Sequence, residues 1–484
     1  MERQFIQPLK ADCKVALHGS MAIEGFLDAA LAILERTGAR YQSEKVLQIL
    51  EEHGARVNHA SGVARMLPEL VLSAIASAPR SMVLHSRDGS CDLDLSSGNT
   101  FGGPGGCGTE VLDWVTGKRR PSTKEDVAAI TRMLDYLGSI QFWWPTVGAG
   151  DCGETAPLHE IDAGWRNTVK HLQAMVNGER QARFAVEMAT VVAGSREALR
   201  SRPLLSNLTT VVTPLVNDRD SIEASLVFAE AGIPICFAVQ AAVGTTAPAT
   251  LSGTYALALA DLLSAVVPIE LATPGAPVLG SLTHIYSDPR SGTVMTAPLN
   301  QAGLLLGTQL VHRIGISSLG TFAGTDALLP GTWQAGVETT QSLMLAAIDG
   351  CELYSGIGLT NTYRLFSGEN LMLDDDLYHR ARQAFLGVPV DAEALAIDVI
   401  DAVGPGGHFL GARHTRRHVR DSVMRAITQE IDADGHYRDP LTVAKERAEK
   451  VMRDYRPEPL AEDKQAELTR ILAAADLEIR GLAW

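Results

Sequence analysis

Two hydrophobic rhythms alternate along most of the chain. Short runs of apolar or small residues recur at 140–146, 171–176, 205–212, 233–239, 278–282, 316–322 and 352–357. Their centres fall roughly every 35 residues, the length of a strand, a helix and two connections. The run Ile233-Pro234-Ile235-Cys236-Phe237-Ala238-Val239 shows no polar alternation, which suits a parallel strand covered on both faces. Between the runs lie longer segments with helix boundary signals, such as Asn217-Asp218 ahead of 221–231 and Gly232-Ile233-Pro234 behind it. Seven such units and a weaker eighth predict an α/β fold, a TIM (β/α)8 barrel, in preference to an open doubly wound sheet.

The ends of the chain follow other patterns. Helical segments at 21–37 and 43–53 and a third opened by Leu67-Pro68 precede two short strands, 81–86 and 91–95, around Arg87-Asp88-Gly89. Residues 1–138 are therefore expected to form an N-terminal α+β elaboration and 139–390 the barrel core. The remainder, 391–484, reads as a C-terminal helical extension with helices at 391–402, 419–431 and 460–479. Tyr455-Arg456-Pro457-Glu458-Pro459 breaks the last of these from its predecessor, because each proline removes a backbone donor.

Charge narrows the partners. With 57 acidic and 42 basic side chains the net charge is −15, which repels a phosphate backbone or an anionic bilayer. No nucleic acid and no membrane partner is expected. The most apolar stretch, 255–267, is interrupted by Asp261 and is shorter than the ~20 residues of a spanning helix. The six cysteines are scattered without a Cys-x-x-Cys pair, and the first residues lack a basic end followed by an apolar run. A cytoplasmic location is expected.

Familiar catalytic motifs are missing or incomplete. Gly103-Pro104-Gly105-Gly106-Cys107-Gly108 matches a dinucleotide-binding pattern, but 109–117 reads as a strand where that pattern requires a helix, so a plain multi-glycine turn is preferred. His414 and His418 lie one helical turn apart with His408 nearby, a spacing that can chelate zinc. Thr415 stands where a hydrolytic His-Glu-x-x-His site needs glutamate, which favours a structural or surface role. Neither a Gly-x-Ser-x-Gly elbow nor a Walker loop is present, and no catalytic acid and base pair stands out.

In an eight-stranded barrel the reactive face lies where strands end. Aromatics are 5% of the chain, yet Phe142, Trp143, Trp144, Phe322, Trp333, Tyr354, Tyr363 and Phe366 fall at or just after predicted strand ends. Rings facing one cavity would cage a quaternary ammonium, each desolvated contact contributing on the order of 1 to 2 kcal/mol. Asp326 and Glu338 could compensate a buried cation, and Arg364 could grip a substrate carboxylate with two hydrogen bonds.

Longer signatures carry a resemblance. Gly404-Pro405-Gly406-Gly407-His408-Phe409-Leu410, then His414-Thr415 and His418-Val419-Arg420, follow Glu369-Asn370-Leu371-Met372-Leu373-Asp374-Asp375 and precede Tyr455-Arg456-Pro457-Glu458-Pro459. Together with Thr116-Gly117, Arg119-Arg120, Thr123-Lys124-Glu125-Asp126, Thr325-Asp326-Ala327 and Gln334-Ala335-Gly336-Val337-Glu338, this resembles the trimethylamine methyltransferase family. The resemblance implies a TIM barrel that passes a methyl group from a methylated amine to the Co(I) of a separate corrinoid protein. The founding branch carries pyrrolysine, which this sequence does not contain. Members without it resemble quaternary amine demethylases, glycine betaine being the leading substrate, and Tyr354 stands where such members often carry histidine. The expected cofactor is thus a corrinoid on a cognate partner protein, with no metal and no pyrrolysine in this chain, which is expected to be a homo-oligomer. Two rival readings are a metal-dependent barrel hydrolase using His408, His414 and His418, and a non-catalytic quaternary amine binding protein.

Overall fold

The computed structural model describes residues 1–481 apart from 12, 107, 115, 296–301, 323 and 423–425; the side chains of 302, 321, 322 and 420–422 lie outside the description too. Eight parallel strands form a ring: β1 Phe101–Pro104, β2 Phe142–Trp143, β3 His171–Ala174, β4 Leu205–Thr210, β5 Ile235–Val243, β6 Val278–Ser287, β7 Ser317–Phe322 and β8 Leu353–Ile357. Hydrogen-bonded neighbours run β2-β3-β4-β5-β6-β7-β8-β1. The ring closes between β1 and β2, where the Gln141 amide donates to the Gly102 carbonyl at 2.7 Å and the Gly108 amide to the Thr146 carbonyl at 3.0 Å.

Each strand is followed by a helix: α1 Lys124–Tyr136, α2 Ala156–Asn167, α3 Glu179–Ala193, α4 Arg219–Ala231, α5 Leu251–Ala272, α6 Ala302–Arg313, α7 Trp333–Asp349 and α8 Gly368–Phe385. The TIM barrel read from the periodicity is thus the fold of the chain. Local chemistry sets the helix starts. Thr123 and Asp126 form a reciprocal capping box on α1, and Asp218, Thr250, Thr332 and Ser367 each accept an amide at the start of α4, α5, α7 and α8.

All seven strand runs appear, but the eighth strand comes from inside the segment expected to be an elaboration. β1 and α1 both precede residue 139, so the barrel begins near Phe101. Phe101-Gly102-Gly103-Pro104 lacks the branched residues that signal a strand, and what was read as a glycine turn includes a barrel strand. Its glycines make room for rings: a Cβ on Gly103 would strike Phe142, and one on Gly106 would strike Trp144.

Alternation along the strands sorts the core. Phe101, Phe142, Trp144, Leu208, Cys236, Leu279, Leu319 and Leu353 cluster inside the ring, joined by Leu84, Leu93 and Leu95. Leu84 and Leu93 belong to the antiparallel pair Val83–Leu84 and Leu93–Asp94, which plugs the end where strands begin. The outward positions pack beneath the helices. α5 is long and apolar enough to cross a membrane, longer than the stretch read from sequence, but most of it is buried, covered by Ser20–Arg36, Pro68–Ile75, β5 and β6.

The C-terminal helices depart from the sequence reading. The segment 391–402 divides into Ala392–Leu395 and Ile397–Val403 at Ala396, whose φ is 50°. Among the described residues, 419–431 holds the end of the helix Arg413–Ser422 and a single turn at Ile427–Gln429. Pro440–Asp454 packs on α8 and α1, and Glu462–Ala475 on α3 and α2.

Candidate active site at the barrel mouth

At the end of the ring where strands finish lies a cavity of about 330 Å³. Trp144 and Met175, each just beyond its strand, form part of its wall with Leu208 and Ala238 below. Thr210, Gln240 and Thr283 line it from β4, β5 and β6, and Gly105 and Gly106 bring bare backbone to the wall beyond β1. The loop after β8 supplies Thr362, Tyr363 and Arg364. No carboxylate lines it among the described residues.

The loop after β8 is held in a conformation that its residues do not favour. Asn361, Thr362 and Tyr363 have φ of 53°, 56° and 61°, three successive left-handed residues without a glycine. Such residues cost of order 1 to 3 kcal/mol each and persist only where surroundings over-determine them. Here the Asn361 amide donates to the Ala327 carbonyl at 2.7 Å and the Thr362 amide to that of Thr325 at 3.3 Å. The Arg364 carbonyl accepts from the amides of Thr109 and Glu110, both at 3.0 Å. Tyr363 then packs against Gly324, where a Cβ would come within 2.6 Å of the ring.

Glu338 locks the neighbouring loop, which follows β7. Its Oε2 accepts from the Thr325 hydroxyl at 2.6 Å and the Asp326 amide at 2.9 Å. Burial pushes the Tyr363 phenol well above its ordinary range, and the nearby carboxylates of Asp326 and Glu338 push the same way. The phenol therefore stays neutral, with two carboxylates near it.

The eleven residues singled out in the sequence, Glu338 among them, do not stay together. Trp144, Tyr363 and Arg364 meet at the cavity, and Phe142 lies deeper in the ring interior. Asp326 flanks Tyr363 without lining the cavity. Trp143 points the other way, because successive strand residues face opposite sides; its indole donates to Thr131 Oγ1 at 2.8 Å and packs over Gly164 of α2. Tyr354 also faces outward, stacked on Tyr378 of α8 at 6.2 Å, where it is fully buried. Phe366 is buried edge-on to Trp114 in a small sheet beyond the mouth. Trp333 is 88% exposed at the start of α7. The side chain of Phe322, the last residue of β7, lies outside the described residues.

Met175, Thr210, Gln240, Thr283 and His284 line the cavity and were missed. A readable signal existed for two: Thr210 and Gln240 fall two residues beyond the inward Leu208 and Ala238. His284 carried none. Its Nδ1 meets the Tyr255 hydroxyl of α5 at 2.9 Å, and burial pushes its imidazole down to about 4, so it is neutral at physiological pH. His408, His414 and His418 line no part of this cavity.

Residues 3–478 match the family model for trimethylamine methyltransferase (MTTB). The trimethylamine methyltransferase MttB of Desulfitobacterium hafniense is 31% identical over 460 residues, 93% of this chain and 92% of its own length. That of Methanosarcina barkeri is 29% identical over 470 residues, 94% of each chain. A glycine betaine methyltransferase of Desulfitobacterium hafniense is 26% identical over 457 residues, 93% of this chain and 95% of its own. Among solved structures, the monomethylamine methyltransferase of Methanosarcina barkeri overlaps 92% of this chain and 95% of its own with 11% identity and a TM-score of 0.45. The family model spans nearly the whole length and a relative 31% identical covers 93% of it: the chain belongs to the trimethylamine methyltransferase family and is a methyltransferase.

Proposed function

We propose that this methyltransferase moves a methyl group from a quaternary amine, glycine betaine or a related betaine, to the Co(I) of a cognate corrinoid protein in the cytoplasm. The observation that carries the reading is the pairing of Trp144 and Tyr363 around a cavity of about 330 Å³ with Arg364 at its rim. Such a volume suits a small ligand and is too small for a corrinoid macrocycle. The cobalt would therefore be presented from outside, by a partner covering the mouth, and would supply the nucleophile.

The chain's own task is binding and orientation. Trp144 and Tyr363 hold the onium group by cation–π attraction, each contact contributing about 0.5–2 kcal/mol. Asp326 and Glu338 strengthen that field from behind Tyr363. Arg364 takes the carboxylate in paired hydrogen bonds, which turns one N-methyl toward the opening. The C–N bonding pair returns to nitrogen, and the amine leaves neutral, so no proton donor is needed. Positioning and exclusion of water supply the acceleration.

Partner docking has its own candidate surface. Leu328, Leu329, Trp333 and Val337, exposed on the loop after β7 and the start of α7, adjoin the Asp326 segment of the mouth. An exposed cluster of this kind is characteristic of an interaction site. Trp333 is thus proposed to meet the corrinoid protein, while the ammonium cage retains Trp144 and Tyr363.

The test mixes the enzyme with reduced corrinoid protein and a panel of betaines, choline and trimethylamine, and follows the cobalt absorption spectrum. Conversion with a betaine is expected. Conversion with trimethylamine alone would overturn the substrate, and no conversion with any donor would overturn the reading.

A further inference from the structure

We propose that Glu393, His414 and His418 form a binding site for a zinc-class divalent cation on the helical segment outside the barrel. The helix Arg413–Ser422 sets the two histidines four residues apart, so both rings fall on one face, 4.4 Å between centroids. The short helix Ala392–Leu395 brings Glu393 against that face. His418 Nε2 lies 3.1 Å from Glu393 Oε1, and His414 Nε2 lies 3.0 Å from the Glu393 carbonyl oxygen.

One ligand atom from each of the three residues lies within 4.8 Å of the other two. A tetrahedral zinc with bonds of about 2.0–2.2 Å sets its donors about 3.4 Å apart, so small rotamer changes bring this set to bonding distance. Two imidazole nitrogens and a carboxylate oxygen suit zinc, cobalt or nickel rather than calcium or magnesium, which take oxygen shells. The side chains of His418 and Glu393 are 39% and 54% exposed, so an ion reaches them and water completes its coordination.

Arg417 bears on the same site as a competitor. Its guanidinium donates to Glu393 Oε1 at 2.6 Å, the oxygen that also faces His418. A cation binding here must displace or share that contact. The consequence of binding is local: Ala392–Leu395 has no buried residue and is followed by the Ala396 break. An ion bridging Glu393 to the two histidines ties that turn to Arg413–Ser422 across the Gly404-Pro405-Gly406-Gly407 bend. The sequence pointed to His408, His414 and His418; folding substitutes Glu393 for His408.

The test titrates zinc chloride into metal-stripped full-length protein by calorimetry and repeats it with H414A, E393Q and R417A, each first shown to unfold at the wild-type temperature in chelator. One zinc per chain is expected, weakened at least tenfold in H414A and E393Q and tightened several-fold in R417A. Should H414A unfold early, H418A takes its place with the same expectation. Zinc binding unchanged by H414A, H418A or E393Q, or weakened by R417A, overturns the proposal. None of these residues lines the barrel cavity, so the result does not depend on the methyl donor.

Discussion

Gly106 lies directly against the Trp144 indole, leaving no space for a Cβ. The cavity wall is therefore set by a contact between the segment after β1 and the residue after β2, across the seam where the barrel closes. Gly106→Ala should displace the ring; overpacking of this kind costs about 1–3 kcal/mol. Methyl transfer should fall on the order of tenfold in kcat/KM. Steady-state kinetics with an unchanged kcat/KM would show that the indole does not help to form the substrate wall.

Adjacent tryptophans should behave oppositely. Trp144→Ala is expected to weaken quaternary amine binding about tenfold, the worth of one desolvated cation–π contact. Trp143→Ala should cost about 3–5 kcal/mol of stability through lost packing under α2 while leaving amine affinity intact. Calorimetric titration and denaturant unfolding of both variants measure the two effects.

Arg364→Ala should discriminate between donors. Loss of a charge-assisted pair contributes about 1.5–3 kcal/mol, so affinity for a betaine should drop by roughly tenfold or more. Choline, which has no carboxylate, should bind as before. Equal losses for both would remove Arg364 from carboxylate recognition.

Trp333→Asp places a charge within the exposed apolar patch beside the mouth. Amine binding should not change, whereas the concentration of corrinoid protein giving half-maximal rate should rise at least tenfold, as for an aromatic anchor of an interface. Rates measured against a series of corrinoid protein concentrations would show it.

Asp374 gives the fold a dependence on pH. Its Oδ2 accepts the Gly358 amide and Asn370 Nδ2, both at 2.8 Å, and burial raises its carboxyl to about 7 from an ordinary 3.8. The unfolded chain releases this proton near pH 4 and the folded chain keeps it to about pH 7. The stability it contributes is full below about pH 4 and lost as pH climbs to 7. His284, lowered to about 4 from 6.5, acts in the opposite sense, with its contribution full above about pH 6.5 and lost as pH falls to 4. In Asp374→Asn only the rising contribution of this pair remains. The stability of the variant relative to wild type should therefore improve between about pH 4 and 7, measured by urea unfolding; a constant difference would contradict the assignment.

The βα rhythm was legible because it is local. Seven strands could be placed from runs such as 233–239 and 278–282, where two covered faces demand continuous apolar residues. β1 escaped because Phe101-Gly102-Gly103-Pro104 is shaped by what it must accommodate: Phe142 and Trp144 occupy the space that side chains on Gly103 and Gly106 would fill. The aromatic clustering was visible as composition near strand ends, but the side of the sheet each ring faces depends on register. Trp143 and Tyr354 went outward and Trp144 inward for that reason.

The rhythm of seven strands and the family resemblance were written in the chain itself, since periodicity and motif spacing survive without any distant contact. The mouth was not. Three left-handed residues without glycine at Asn361, Thr362 and Tyr363 contradict local preference, and hydrogen bonds from the segments around Thr109 and Ala327 help to hold them there. The sequence nominated Tyr363 and Arg364 among many candidates, and the tertiary structure decided that they reach the cavity, because interactions that offset the strain of this loop come from residues far away in sequence.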